Sequence, residues 1–203
     1  MHQQNHDQEI SVKERIDNCA LEFFSTKGYS ATSVREIVEA AGVTKPSLYY
    51  YYKNKDDLYK TLYSESMSAF MEDLEKNLSQ DVPFRQKLLT VLVTYFEWMK
   101  RRPHLASFFY RVYFGESPFQ GKDELNTKVN KDDVLIREYF MKAVEEKVFC
   151  DHIDPNLAAT LFLGLIHVFV VRQVIGYQDE LTGETAEKVV DYFLNGVLPK
   201  ESV

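Results

Sequence analysis

Gly28–Lys55 reads GYSATSVREIVEAAGVTKPSLYYYYKNK, and this stretch decides the fold because two helix starts stand close together in it. Ser33, with Glu36 three residues on, is a capping box, and Val34, Ile37, Val38 and Ala41 follow at helical spacing. Gly42 is a natural left-handed end for that helix. Thr44 caps a second helix, whose first turn tolerates Pro46 because an N–H there needs no partner. Two helices joined by a short Gly-containing turn make a helix-turn-helix, whose second helix enters the major groove. After Glu39 this stretch holds Lys45, Lys53 and Lys55 and no acid.

Working outward, residues 1–9 are polar and are expected to be a disordered tail. A first helix is expected from about Ser11 to Lys27, with Ile16, Cys19, Ala20, Phe23 and Phe24 on one face and Gly28 as its stop. Asn54 caps a long helix to about residue 79 that turns Leu58, Leu62, Ala69, Phe70 and Leu74 inward. Further helices are expected near 84–101, 104–114, 127–149, 155–176 and 184–198, punctuated by Pro103, Ser117–Gly121, Asp154–Pro155, Gly176 and Pro199. No strand signal or internal repeat is visible. The expected architecture is all-α: a DNA-binding domain over 10–56, running on into the long helix, and a ligand-binding and dimerisation domain over 57–203.

The chain has 203 residues, is 45% hydrophobic and 27% charged, and carries a net charge of −7. That balance argues against a protein that coats nucleic acid indiscriminately. Residues 1–55 hold seven Lys/Arg and seven Asp/Glu, so the whole deficit lies in the remainder, where 17 cations face 24 acids. A locally basic face on an acidic protein suits site-specific DNA binding. Cys19 and Cys150 make no disulfide framework and the N-terminus has no apolar signal region, which points to a cytoplasmic, reducing compartment. The run Leu157–Val171, broken by Thr160, Gly164 and His167, reads as too short and too polar for a membrane span.

Lys45, Pro46 and Ser47 occupy the first turn of the second short helix, where Lys45 can reach guanine or phosphate and Ser47 a base or phosphate oxygen. Leu48 and Tyr52 are expected inside. Tyr49, Tyr50 and Tyr51 cannot all be buried, since three consecutive residues cover most of a helix circumference. Tyr50 is expected at DNA; for Tyr49, DNA contact and seam packing both stand. Thr32, Ser33 and Arg35 open the first short helix, whose free N–H groups suit a phosphate, and Lys55 is placed for a similar contact.

Taken in order, Ile16 to Tyr29, Thr32–Ile37, Ala40–Val43, Leu48–Tyr52 and Lys53–Leu58 resemble the DNA-binding domain of the tetracycline-repressor (TetR) family. The likeness covers about the first quarter of the chain, with Pro46 where a small residue is common and Tyr52 where phenylalanine is typical. It implies a homodimeric, ligand-responsive transcriptional regulator, usually a repressor, with a variable helical C-terminal domain.

The segment around 155–176 is apolar nearly all round and the last helix carries a broad apolar stripe. Leu161, Leu165, Phe169, Val189, Val190, Phe193 and Val197 are therefore the expected surface of a two-fold four-helix bundle. Residues 84–177 hold 16 of the 28 aromatic side chains. Tyr95, Trp98, Phe108, Phe140 and Phe162, with polar Arg111 and His167, are the candidate lining of a cavity for a bulky apolar or aromatic effector, its acidic group on Arg111. His104 is a further polar residue in the set. Cys150 and His152 lack further ligands at a metal-binding spacing, and no catalytic constellation or cofactor loop is present, so no metal, cofactor or enzyme activity is expected. The competing reading is an all-α carrier or enzyme that keeps the helix-turn-helix as scaffold.

Overall fold

The computed structural model describes residues 10–78, 81–115, 117–119, 131–148, 153–177 and 181–196. The expected tail 1–9, Cys150, His152, Val197 and the ends of two expected helices (127–130, 149 and 197–198) lie outside the described residues. Among those described there are helices and no strand. The helices are α1 (Val12–Thr26), α2 (Val34–Ala41), α3 (Lys45–Tyr51), α4 (Lys55–Leu78), α5 (Phe84–Arg101), α6 (Pro103–Phe114), α7 (Lys131–Glu145), α8 (Pro155–Val174) and α9 (Gly183–Asn195). Pro103 begins α6 rather than standing before it, as its fixed φ and missing N–H allow in a first turn.

The chain divides into two compact units, Met1–Tyr63 with Ser107–Pro118 and Ser64–Ala106 with Phe119–Val203. The first is thus discontinuous in sequence, which a boundary near residue 56 does not anticipate. Its helices begin where local chemistry dictates. Ser11 and Glu14 form a capping box for α1, and Ser33 and Glu36 another for α2. Gly42 ends α2 at φ +63°, and Asn54 Oδ1 accepts the Asp57 N–H at 2.8 Å to start α4. Ile16, Ala20, Phe24, Ile37, Leu48 and Leu58 fill the core. Cys19 and Phe23, expected beside them, are only half-buried. Phe108, from α6, is fully buried in this unit, its ring 4.8 Å from Tyr59 and 6.3 Å from Phe24. Each such aromatic pair adds about 0.5–1.5 kcal/mol beyond burial.

The second unit is built from α5, α7, α8 and α9 with the later part of α4. Ala69 of α4, expected inside, is exposed, while Met67, Phe70 and Leu74 are buried. Tyr95 and Trp98 sit edge-on to Phe70, at 4.6 and 5.2 Å. A second aromatic cluster joins Phe84, Phe140, Phe162 and Phe193, with centroids 5.3 Å apart for Phe84–Phe140 and for Phe162–Phe193. Helix α8 is capped by Asp154 and buries Ala159, Phe162, Leu163 and Ile166. Leu157, Leu161 and Val168, each more than half exposed, share its other face with Thr160, Gly164 and His167. An 18-residue window of this 20-residue helix has a mean hydropathy of 1.9, long and apolar enough to cross a membrane by length and composition, more so than the 157–171 run implies.

Candidate nucleic-acid interface and effector cavity

The second helix of the motif, α3, is held from below and left open above. Leu48 is fully buried, and Tyr52, just past the helix end, is buried with its hydroxyl donating to the Asp17 carboxylate of α1. Burial and that carboxylate push the Tyr52 phenol far above its ordinary range. At the amino end, Thr44 Oγ1 accepts the Ser47 N–H at 3.3 Å and the two hydroxyls bond at 2.9 Å. Lys45 and Pro46 are exposed and Ser47 half-buried. Tyr50 is 82% exposed, with Tyr49 at 50% and Tyr51 at 40%. The Tyr50 and Tyr51 rings meet edge to face at 4.9 Å, which stiffens this outward aromatic ledge. Among the described residues nothing engages the Lys45 or Lys53 ammonium.

The opening of α2 is more occupied than the sequence implies. Glu36 accepts the Ser33 N–H at 3.0 Å and pairs with Lys27 at 2.9 Å. The Lys27 and Ser33 bonds hold the Glu36 carboxyl at about 2. A carboxylate thus already sits on part of the positive end of α2. Arg35 pairs with Glu39 at 2.7 Å on an exposed surface. Thr32 is buried, its hydroxyl donating to the Gly28 carbonyl at 2.7 Å, so its side chain is turned inward rather than to a phosphate. Lys55 is also engaged internally: its ammonium donates to the Tyr29 and Thr32 carbonyls, both at 3.0 Å, and lies 4.1 Å over the Tyr29 ring.

The residues expected around an effector do not gather in one place. Phe108 is in the first unit's core. Arg111 is there too: its Nε and Nη2 donate to the Ser25 and Thr26 carbonyls, both at 2.8 Å, where the expected ligand carboxylate would have to bind. In the second unit, the Tyr95 hydroxyl donates to Asp132 at 2.5 Å, and Trp98 stacks under the Arg102 guanidinium at 4.8 Å. His167 is exposed on α8 rather than a buried polar anchor. Phe140 and Phe162, fully buried, back onto Phe84 and Phe193. Those two rings line a largely apolar cavity of about 600 Å³, together with Val148, Ile153, Leu161 and Leu194.

Asp132 is a buried acid that no sequence pattern marks out. Burial raises its carboxyl, against the smaller lowering effects of the Tyr95 hydroxyl and His167, and among the described residues its Oδ1 has no hydrogen-bond partner. Nothing in the pair Asp132–Asp133 distinguishes a buried acid from a helix-start acid. Of the expected dimer surface, Leu161 is exposed and Leu165, Phe169, Val189 and Phe193 are half-buried. Val190 is fully buried in its own unit, because α9 turns it toward α5 together with Ala186. Among the described residues no group of three metal-ligating side chains occurs.

A capped, outward-facing second helix on a three-helix core defines a helix-turn-helix DNA-binding protein. Residues 18–62 match the family model described as "Bacterial regulatory proteins, tetR family". The chain belongs to that family and is a DNA-binding transcription regulator. It is 22% identical to the "Fatty acid metabolism regulator protein" of Bacillus subtilis (strain 168), over 90% of this chain and 94% of that one. It is 28% identical to "HTH-type transcriptional regulator AcrR" of Shigella flexneri over 76% of this chain and 74% of the relative. Among solved structures it is similar to the FadR regulator of Bacillus subtilis in complex with stearoyl-CoA, with a TM-score of 0.79, 22% identity, and 91% and 98% of the two chains covered.

Proposed function

We propose that this protein is a cytoplasmic, homodimeric repressor that holds a palindromic operator and releases it when a small apolar effector binds the second unit. The observation that carries the DNA half is the amino end of α3, where Lys45 is unengaged beside the exposed Tyr50 ledge. In a dimer the two copies of α3 would enter successive major grooves about 34–36 Å apart. The exposed stripe Leu157, Leu161, Gly164 and Val168 of α8 supports the two-fold contact, since monomers rarely leave such a stripe in water.

For the effector, the apolar cavity between Phe84 and Phe193 supports an alkyl or acyl chain, and the regulators of fatty acid metabolism among the relatives support the same class. The effector must bind the DNA-free form better than the bound one, or it shifts nothing.

Selection of random duplexes by the purified protein, followed by titration with acyl thioesters of graded chain length, tests both halves. Enrichment of a palindrome, and its release by longer chains, is the expected result. A protein that enriches no sequence overturns the repressor reading, and release indifferent to chain length overturns the effector class.

A further inference from the structure

We propose that Arg111 and Lys55 are positioning residues for DNA binding: Arg111 clamps the last carbonyls of α1 and Lys55 those of the turn that follows, and so the two fix the stance of the helix-turn-helix. The inference rests on the DNA-binding reading and assigns these two cations a place in it that neither an operator phosphate nor an effector requires.

The last carbonyls of a helix have no partner within it, and α1 has no basic residue in its last turn to serve them. Arg111, far along the chain, supplies the missing cation as a two-pronged fork on Ser25 and Thr26, both contacts at 2.8 Å. Gly28 follows at φ +85°, and a Cβ there would meet Arg111 Nη1 at 3.3 Å, so the glycine serves the reversal and leaves room for the guanidinium. Lys55 then takes the Tyr29 and Thr32 carbonyls, while the Thr32 hydroxyl takes that of Gly28. Tyr29 is tied again through its hydroxyl to Asp56.

Five carbonyls between Ser25 and Thr32 are therefore held by side chains, four of them by these two cations. Ser33, the cap of α2, comes next in sequence. With the clamps in place the turn has one conformation, and α2 and α3 inherit its direction from α1. Without them the turn is free to sample others, and the operator must select the correct one at the expense of affinity.

The decisive measurement is operator affinity against salt for full-length Arg111→Met and Lys55→Met, with Lys45→Ala as the reference for a phosphate contact. Methionine keeps much of the aliphatic stem and removes the donors. Affinity is expected to fall about ten-fold in both clamp variants with the slope of log K on log salt unchanged, whereas Lys45→Ala lowers that slope by about 0.9. Amide exchange at Lys27–Ser33 should quicken in the clamp variants while α5 and α8 keep wild-type protection. Arg111→Lys, retaining charge without the fork, should recover part of the loss, and it carries the comparison should Arg111→Met fail to fold. A reduced salt slope in either clamp variant makes that residue a DNA contact and overturns the proposal. Unchanged affinity with unchanged exchange overturns it as well. A wild-type protein that binds no duplex would instead overturn the DNA-binding reading, and the exchange data alone would then decide the clamp.

Discussion

Helices α3 and α8 both leave large side chains in water, yet the two exposed faces ask for different partners. The outward side chains of α3 are tyrosines beside an unengaged lysine, so each ring carries a hydroxyl that remains satisfied by water until a phosphate replaces it. The face of α8 is Leu157, Leu161 and Val168 about a glycine, and His167 is its main polar side chain. Such a face gains about 25 cal/mol for each Å² withdrawn from water, and only another apolar face offers that gain. Two helices of one chain thus ask for a polyanion and for an apolar surface, the latter being the second copy proposed above, from the chemistry of what each leaves uncovered.

The sharpest way to break this comparison is to charge the α8 face. Leu161→Glu with Val168→Glu places unpaired carboxylates in the proposed contact, and association should weaken at least about a hundred-fold, with operator binding lost alongside it. Sedimentation showing an unchanged dimer would mean that the two-fold contact does not use this face. Next in size is the α3 ledge. Tyr50→Ala or Lys45→Ala should weaken operator binding about ten-fold with no change in melting temperature, since both side chains are exposed. Tyr50→Phe separates ring from hydroxyl: a loss equal to that of alanine assigns the contact to the oxygen.

Smaller effects test the interiors of the two units. Burial raises the Asp132 carboxyl above its unfolded value, so this group's destabilising contribution grows as pH rises from that value and fades as pH falls. Asp132→Asn, which still accepts from Tyr95, should raise the melting temperature by about 2–4 °C at pH 8, and this gap should close as the pH falls to the unfolded value of 3.8. A gap that persists undiminished at and below pH 3.8 would rule out the charge as the cause. Glu36 has the opposite sign. Held at about 2 by Lys27 and Ser33, it contributes stability above its unfolded value of 4.5 that is lost as pH falls toward about 2. Urea unfolding should show a small wild-type advantage over Glu36→Gln at pH 7 that has vanished near pH 2.

The helix-turn-helix was legible because its determinants are local: each cap lies within three residues of what it caps, and Gly42 announces the reversal itself. What escaped the sequence depends on distant residues. Arg111 resembles a cavity cation until α1 is seen to lack one at its carbonyl end. Lys55 resembles a phosphate contact until the Tyr29 and Thr32 carbonyls are placed beside it. Phe108 belongs to an aromatic run whose membership in the first unit no periodicity reveals. Val190 and Leu161 share an apolar pattern, and only the packing of each helix decides which is core and which is face.

Because Phe108 and Arg111 complete the first unit, its parts are made at very different times. A ribosome adds about 5–20 residues per second and releases the amino end first. The motif therefore emerges seconds before the ring that fills its core and the guanidinium that seals α1. A nascent chain cut short before α6 carries every residue of the motif yet lacks Phe108 and Arg111, the two side chains that complete its unit, until more than half of the polypeptide exists.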